Sequence, residues 1–100
     1  MAIAMLLEFP GGTMEQYDAL LKDLDLGGKA YKGGIFHVAG PAEGGVRIVD
    51  VWASQEAFDA FMREKLGAAL QKHGIAPPKV SAWPVHNTLT PTGPARAAQG

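Results

Sequence analysis

Residues 46–56 read Val46-Arg47-Ile48-Val49-Asp50-Val51-Trp52-Ala53-Ser54-Gln55-Glu56. The first seven are dense in β-branched residues and form a strand. Ser54 then supplies a hydroxyl to cap a helix, and Glu56 sits near that helix's positive end. Side chains alternate across a strand, so Val46, Ile48, Asp50 and Trp52 share one side and Arg47, Val49 and Val51 the other. Both sides are largely apolar. A sheet apolar on both faces needs cover on both.

Upstream, Gly34 to Gly40 carries Ile35, Phe36 and Val38 and reads as a strand, joined to the first by a turn over Pro41 to Gly45. Neighbouring strands default to a hairpin. Ile3 to Phe9 is a short apolar run closed by Pro10-Gly11-Gly12, another strand. Thr13 begins a helix with Gln16 placed for a capping box, and Met14, Tyr17, Leu20, Leu21 and Leu24 follow helical spacing up to Gly27-Gly28.

Downstream of Ser54, the residues Ala57, Phe58, Phe61, Met62, Leu66, Ala69 and Leu70 form the apolar face of the second helix. Gly74 and Pro77-Pro78 stop it. Lys79 to Leu89 is the last strand, and Pro84 within it indicates an edge position or a bulge. Thr90 to Gly100 has tail composition, so residues 1–89 form one domain.

The order β-α-β-β-α-β is the split, ferredoxin-like α+β arrangement, with both helices on one face of a four-stranded antiparallel sheet. The other face lacks a helix. The simplest cover is the sheet of a second copy, so a homodimer with a pocket between two sheets is expected.

Of the 100 residues, 47% are apolar and 19% charged, with a net charge of −1 and no cysteine. Disulfides, thiolate metal sites and a cysteine nucleophile are excluded. The basic patch of a nucleic-acid binder is missing, as is the basic amphipathic helix of a membrane-surface protein. No apolar run reaches the roughly 20 residues that cross a bilayer. A cytoplasmic protein is expected.

Chemistry-bearing residues are few. Keeping Phe36 and Val38 with Val49 and Val51 on the helix side puts His37 on the open side beside Ile48, Asp50 and Trp52. An imidazole beside a carboxylate makes a general acid or base, and a polar pair at an interface is the alternative. His86 could complete a His-His-Asp cluster, but the spacing matches no established metal site, so no metal or cofactor is assigned. Trp52, with Ile48 and Ile35, is expected to line the site of an apolar or aromatic small molecule. The glycine pairs lack phosphate-loop spacing, and no Gly-x-Ser-x-Gly elbow exists.

Val49-Asp50-Val51-Trp52 followed by Ser54-x-Glu56-x-Phe58, with the closing Pro84-Val85-His86-Asn87, resembles the antibiotic biosynthesis monooxygenase-like group of the dimeric α/β barrel superfamily over residues 2–89. The resemblance implies a homodimer, a cavity between sheet and helices, and cofactor-independent oxidoreductase chemistry such as monooxygenation. The monooxygenase type carries a cavity Trp, with an Asn four residues before it and a Tyr six after. Here the Trp is Trp52, but those positions hold Ile48 and Phe58. The haem-degrading type needs a His about ten residues after the Trp, where this chain has Met62. Haem degradation is disfavoured. A non-catalytic dimeric binding or structural module is the alternative function.

Overall fold

The computed structural model describes residues 1–97. The elements are β1 (Ile3–Pro10), α1 (Met14–Leu24), β2 (Gly34–Ala42), β3 (Gly45–Trp52), α2 (Gln55–Phe61), a π-helical turn (Met62–Leu66), α3 (Gly67–Lys72) and β4 (Lys79–Pro84). All strand pairs are antiparallel, in the order β2-β3-β1-β4. This is the ferredoxin-like α+β fold.

Local chemistry explains most boundaries. The Thr13 side chain accepts from the Gln16 N–H, and the Gln16 side chain accepts from the Thr13 N–H, both at 3.1 Å. Together they close the capping box. Asp25, in the left-handed region at φ 51°, ends α1 three residues before Gly28. Ser54 Oγ accepts from the Ala57 N–H at 3.1 Å to start α2, as a cap of this type does. The second helix runs through the π-turn without a break, because the Gly67 N–H reaches five residues back to the Met62 carbonyl.

Pro84 ends β4 five residues before the expected Leu89, because its ring removes a ladder donor. β4 is an edge strand, as Pro84 required. Beyond it, a turn joins Thr90 to Gly93. The last three residues of the expected tail lie outside the described residues.

One face assignment is corrected. Val46, Ile48, Asp50 and Trp52 are buried beneath the helices, whereas Phe36 (55% exposed), Val38 (49%), Val49 (39%) and Trp83 (49%) lie on the open face. His37 stands opposite Asp50 as expected, and Val38 opposite Val49, so the grouping of the hairpin side chains is as read and the whole sheet is inverted. The reason lies in β1. Ile3, Met5, Leu7 and Phe9 stand opposite Trp52, Asp50, Ile48 and Val46, and together they build one apolar surface. Leu20, Phe58, Phe61, Leu66 and Leu70 close over it. On the other face Glu8 stands opposite Arg47, with 3.3 Å between their charged atoms.

Candidate functional site

β3 carries Asp50 into the layer between sheet and helices, and β2 places His37 directly across from it. The Asp50 carboxylate sits 2.6 Å from His37 Nδ1 through Oδ1, and its Oδ2 accepts from Trp52 Nε1–H at 3.2 Å. From the helix side, Tyr17 brings its hydroxyl to 2.7 Å from His37 Nε2. The two rings lie nearly parallel, 9° apart, with centroids separated by 6.0 Å. A single hydrogen-bonded chain therefore runs Tyr17–His37–Asp50–Trp52.

Its polarity follows from valence. An ionised carboxylate only accepts, so His37 Nδ1 must donate. With the imidazole neutral, Nε2 then accepts and the Tyr17 O–H donates. Every member is satisfied, which is the condition for burying Asp50 at all. Burial, reinforced by the negative charges of Asp50 and Asp18, holds the Tyr17 phenol pKa above its ordinary value.

Trp52 is fixed by its neighbours. Phe58 meets it edge-on, with the ring planes 75° apart. Phe61 lies 5.3 Å away between centroids. Both are favourable aromatic arrangements. Tyr31 packs on Phe61 at 4.8 Å and donates to Glu64 of the π-turn at 2.9 Å. That bond is the main cause of the raised Tyr31 pKa.

A small crevice of about 30 Å³ adjoins the chain, where α1 crosses the sheet. Phe9, Tyr17, Leu20, Val46, Ile48 and Ile75 form its walls. A more open depression of about 230 Å³ lies at the β2–β3 turn, with Glu8, Pro10, Glu43 and Arg47 in its lining, at the opposite end of β3 from Trp52.

The structure thus joins His37, Asp50 and Trp52 and places Ile48 in the neighbouring wall. Ile35 sits at an irregularity of β2, where the register with β3 shifts between Gly34 and Phe36. His86 is exposed beyond the end of β4, on the opposite sheet edge from β2. The chemistry-bearing residue absent from the expected site is Tyr17, a candidate phenol donor that helical spacing places on the apolar core face of α1. The available signal is that a phenol directed into a core needs a hydrogen-bond partner. Among the described residues no three His, Cys, Asp or Glu side chains gather to hold a metal ion, and no helix is long and apolar enough to cross a membrane.

No protein-family profile matches the chain, and no curated protein matches it in sequence. Several solved structures match in shape. One, from Mycobacterium tuberculosis, superposes with a TM-score of 0.66 at 15% identity, over 90% of this chain and all (100%) of the other. A candidate antibiotic biosynthesis monooxygenase from Chloroflexus aurantiacus gives 0.64 at 18% identity, over 90% and 98% of the two chains. SnoaB, a cofactor-independent oxygenase from Streptomyces nogalater, gives 0.60 at 12% identity, over 88% and 96%. The resemblance carried by residues 49–58 and 84–87 is thus borne out at the level of the fold: the chain has the ferredoxin-like fold of structures described as a candidate antibiotic biosynthesis monooxygenase and a cofactor-independent oxygenase.

Proposed function

We propose that the protein is a homodimer that performs proton transfer coupled to cofactor-independent oxygenation of an apolar or aromatic small molecule. The observation that carries this reading is the Tyr17–His37–Asp50–Trp52 chain, a polar seam running out of an otherwise apolar core. The shared fold with SnoaB supports the oxygenation part.

An activated methylene carbon consumes one dioxygen molecule. One oxygen atom becomes the carbonyl oxygen on that carbon, and the other leaves as water with both methylene hydrogens. The organic substrate supplies all the electrons, so no redox cofactor is needed. The protein's task is to remove the first proton. The substrate proton passes to the Tyr17 oxygen as Tyr17 gives its own proton to His37 Nε2, and Asp50 balances the imidazolium that forms. Because a free phenolate is disfavoured at Tyr17, the two transfers run together rather than in sequence. Positioned proton transfer of this kind contributes about 10²–10⁴ in rate.

The test is oxygen uptake with an activated aromatic methylene compound. His37→Ala and Asp50→Ala should each lower uptake by about 10²–10⁴-fold while the dimer mass is unchanged. Uptake equal to the parent's would remove the relay from the reaction. For the dimer, the support is the open face itself, where Phe36, Val38, Val49 and Trp83 are unroofed. Scattered apolar residues are ordinary on a surface, but a contiguous sheet face of them is not. Val49→Glu should give a monomer in light scattering, and a parent protein that is already monomeric at micromolar concentration refutes the assembly.

A second reading, a non-catalytic dimeric module, is favoured by one observation. The crevice measures only about 30 Å³. Ligand pockets begin at roughly 300 Å³. Absence of oxygen uptake across a panel of methylene compounds, with no shift in Tyr17 or His37 resonances on their addition, would select it.

A further inference from the structure

We infer that the open face of the sheet seats a second copy of this chain about a twofold axis parallel to the strands, with Arg47 of each copy over Glu8 of the other. The inference rests on the homodimer proposed above and fixes how its two sheets meet.

The strand registers divide the open face into three rows, each crossing β2, β3, β1 and β4 in turn. The first two rows hold Phe36, Val38, Val49, Leu6 and Trp83 and carry no charge. The third runs Gly40, Arg47, Glu8, Lys79. It holds every charge that the strands place on this face, and the signs alternate. Within one chain, Arg47 and Glu8 meet through Nε and Oε2 alone, at 3.3 Å, and their side chains remain 59% and 36% exposed. The terminal nitrogens of the guanidinium and the second carboxylate oxygen are left for another partner.

Two sheets stacked face to face keep their strands within about 30° of each other. A self-complementary pair is related by a twofold axis. That axis, lying between the sheets, runs either along the strands or across them. An axis along the strands sets each row on the same row of the other copy and reverses the strand order. β3 then lies over the partner's β1, so Arg47 faces the partner's Glu8, and the symmetry makes the contact twice. Lys79 falls over the partner's Gly40, where nothing lies within 4 Å of the place a Cβ would occupy. The adjoining turn carries Glu43, which, like Lys79, makes no ion pair among the described residues.

An axis across the strands keeps the strand order and sets the charged row on the first, apolar row. Arg47 would then face the partner's Val51, and Glu8 the partner's Ala4. Both charges would leave water and meet only carbon, which is costly. The charged row therefore selects the first seat. The two apolar rows supply the contact area, and the third fixes its direction.

The chain has no cysteine, so single cysteines report the seat without background. The probe is a bis-maleimide spanning about 10 Å, the usual spacing of stacked sheets. Gly40→Cys and Lys79→Cys, co-expressed, should cross-link to each other, and neither should cross-link with itself. Ser81→Cys alone should stay uncross-linked, because the first seat carries the two copies of β4 to opposite edges of the barrel. Efficient self-cross-linking of Ser81→Cys, which the second seat requires, overturns the inference. A charge test needs no cysteine. Arg47→Glu places like charges together twice and should raise the dimer Kd about tenfold or more, whereas Glu8→Arg with Arg47→Glu should restore it. A Kd unmoved by Arg47→Glu also overturns the seat. If either variant fails to fold, Arg47→Gln removes the attraction without repulsion and should raise the Kd in the same direction. The two failures are distinguishable. A parent monomer in light scattering leaves the face to some other occupant and overturns the homodimer and this seat together, while a dimer with the second cross-linking pattern overturns the seat alone.

Discussion

Asp50→Asn tests the direction of the hydrogen-bonded chain while keeping its shape. Asp50 presents two acceptor oxygens to two donors, His37 Nδ1–H and Trp52 Nε1–H. Asparagine offers one oxygen and one amide NH2 group, so a donor would face a donor at one of the two positions. Trp52 is buried and its indole can only donate, so the asparagine oxygen must stay with it. The amide NH2 then faces His37 Nδ1, which can accept only in the other tautomer. His37 would carry its hydrogen on Nε2 and donate to the Tyr17 oxygen, reversing that bond.

The energy follows from the same inventory. A hydrogen bond to a charged group contributes about 1.5–3 kcal/mol and a neutral one about 0.5–1.5 kcal/mol. Two such bonds are weakened, but the His37 side chain is 37% exposed. Its share is therefore screened by solvent. Asp50 also no longer carries the desolvation cost of a buried charge. A net loss of about 1.5 kcal/mol remains, or about 6–12 °C in Tm for a domain of this size. Urea unfolding reads the first quantity, and two-dimensional 15N spectra of the imidazole nitrogens read the tautomer. A variant as stable as the parent, with His37 still protonated at Nδ1, refutes both the polarity and the burial argument.

Other outcomes follow from single contacts. Thr13→Ala removes one arm of the capping box and should cost about 1 kcal/mol, seen as a urea midpoint lowered at unchanged slope. Tyr17 should titrate above the ordinary value of 10.0 in ultraviolet absorbance, because burial first and the carboxylates of Asp50 and Asp18 next oppose its phenolate. Since the folded pKa is the raised one, the stability this group contributes is complete below its unfolded pKa and is lost as pH rises through the folded value. Asp50→Asn should move that titration downward part of the way. Asp23 has the opposite sign. Its bonds to Lys72 Nζ at 3.1 Å and to His73 Nε2 at 2.9 Å hold its carboxyl below the ordinary 3.8. Its contribution is therefore present above that value and lost as pH falls through the lower folded one, so Asp23→Asn should flatten the acid limb of a stability profile.

What the sequence reveals here is what is local. The capping box at Thr13, the cap at Ser54 and the strand character of residues 46–52 depend on neighbours within four positions, and each is found where the sequence puts it. The pairing of His37 with Asp50 is also legible, because a short turn leaves a hairpin few registers. The face is not. Alternation gives the parity of β3 but not its sign, and here both parities are apolar. The sign is set at a distance, by Met5 and Leu7 of β1 opposite Asp50 and Ile48. Polar atoms are a poor reason for exposure at Asp50, because its oxygens are matched by His37 and Trp52. Tyr17 is hidden for the same reason: its partner His37 is 20 positions away.

Because the sheet is inverted, the proposed chemistry and the proposed association fall on opposite sides of it. The proton chain lies on the helix-covered face, reached by Tyr17 of α1 at one end and packed under α2 at Trp52, and the unroofed apolar residues lie on the other face of the sheet. The two proposed activities are therefore separated by the thickness of one sheet, with His37 and Val38 as consecutive residues pointing opposite ways. Had the pair faced outward, a partner would have buried His37, and any interface variant would have disturbed the relay directly. With the pair facing inward, Val49→Glu should break the dimer and leave the ultraviolet titration of Tyr17 where it was. His37→Ala should shift that titration and leave the dimer intact. A Val49→Glu protein that is monomeric and also has an altered Tyr17 titration would show that the two faces are coupled through the strand backbone, and the picture of one sheet serving two independent surfaces would have to be abandoned.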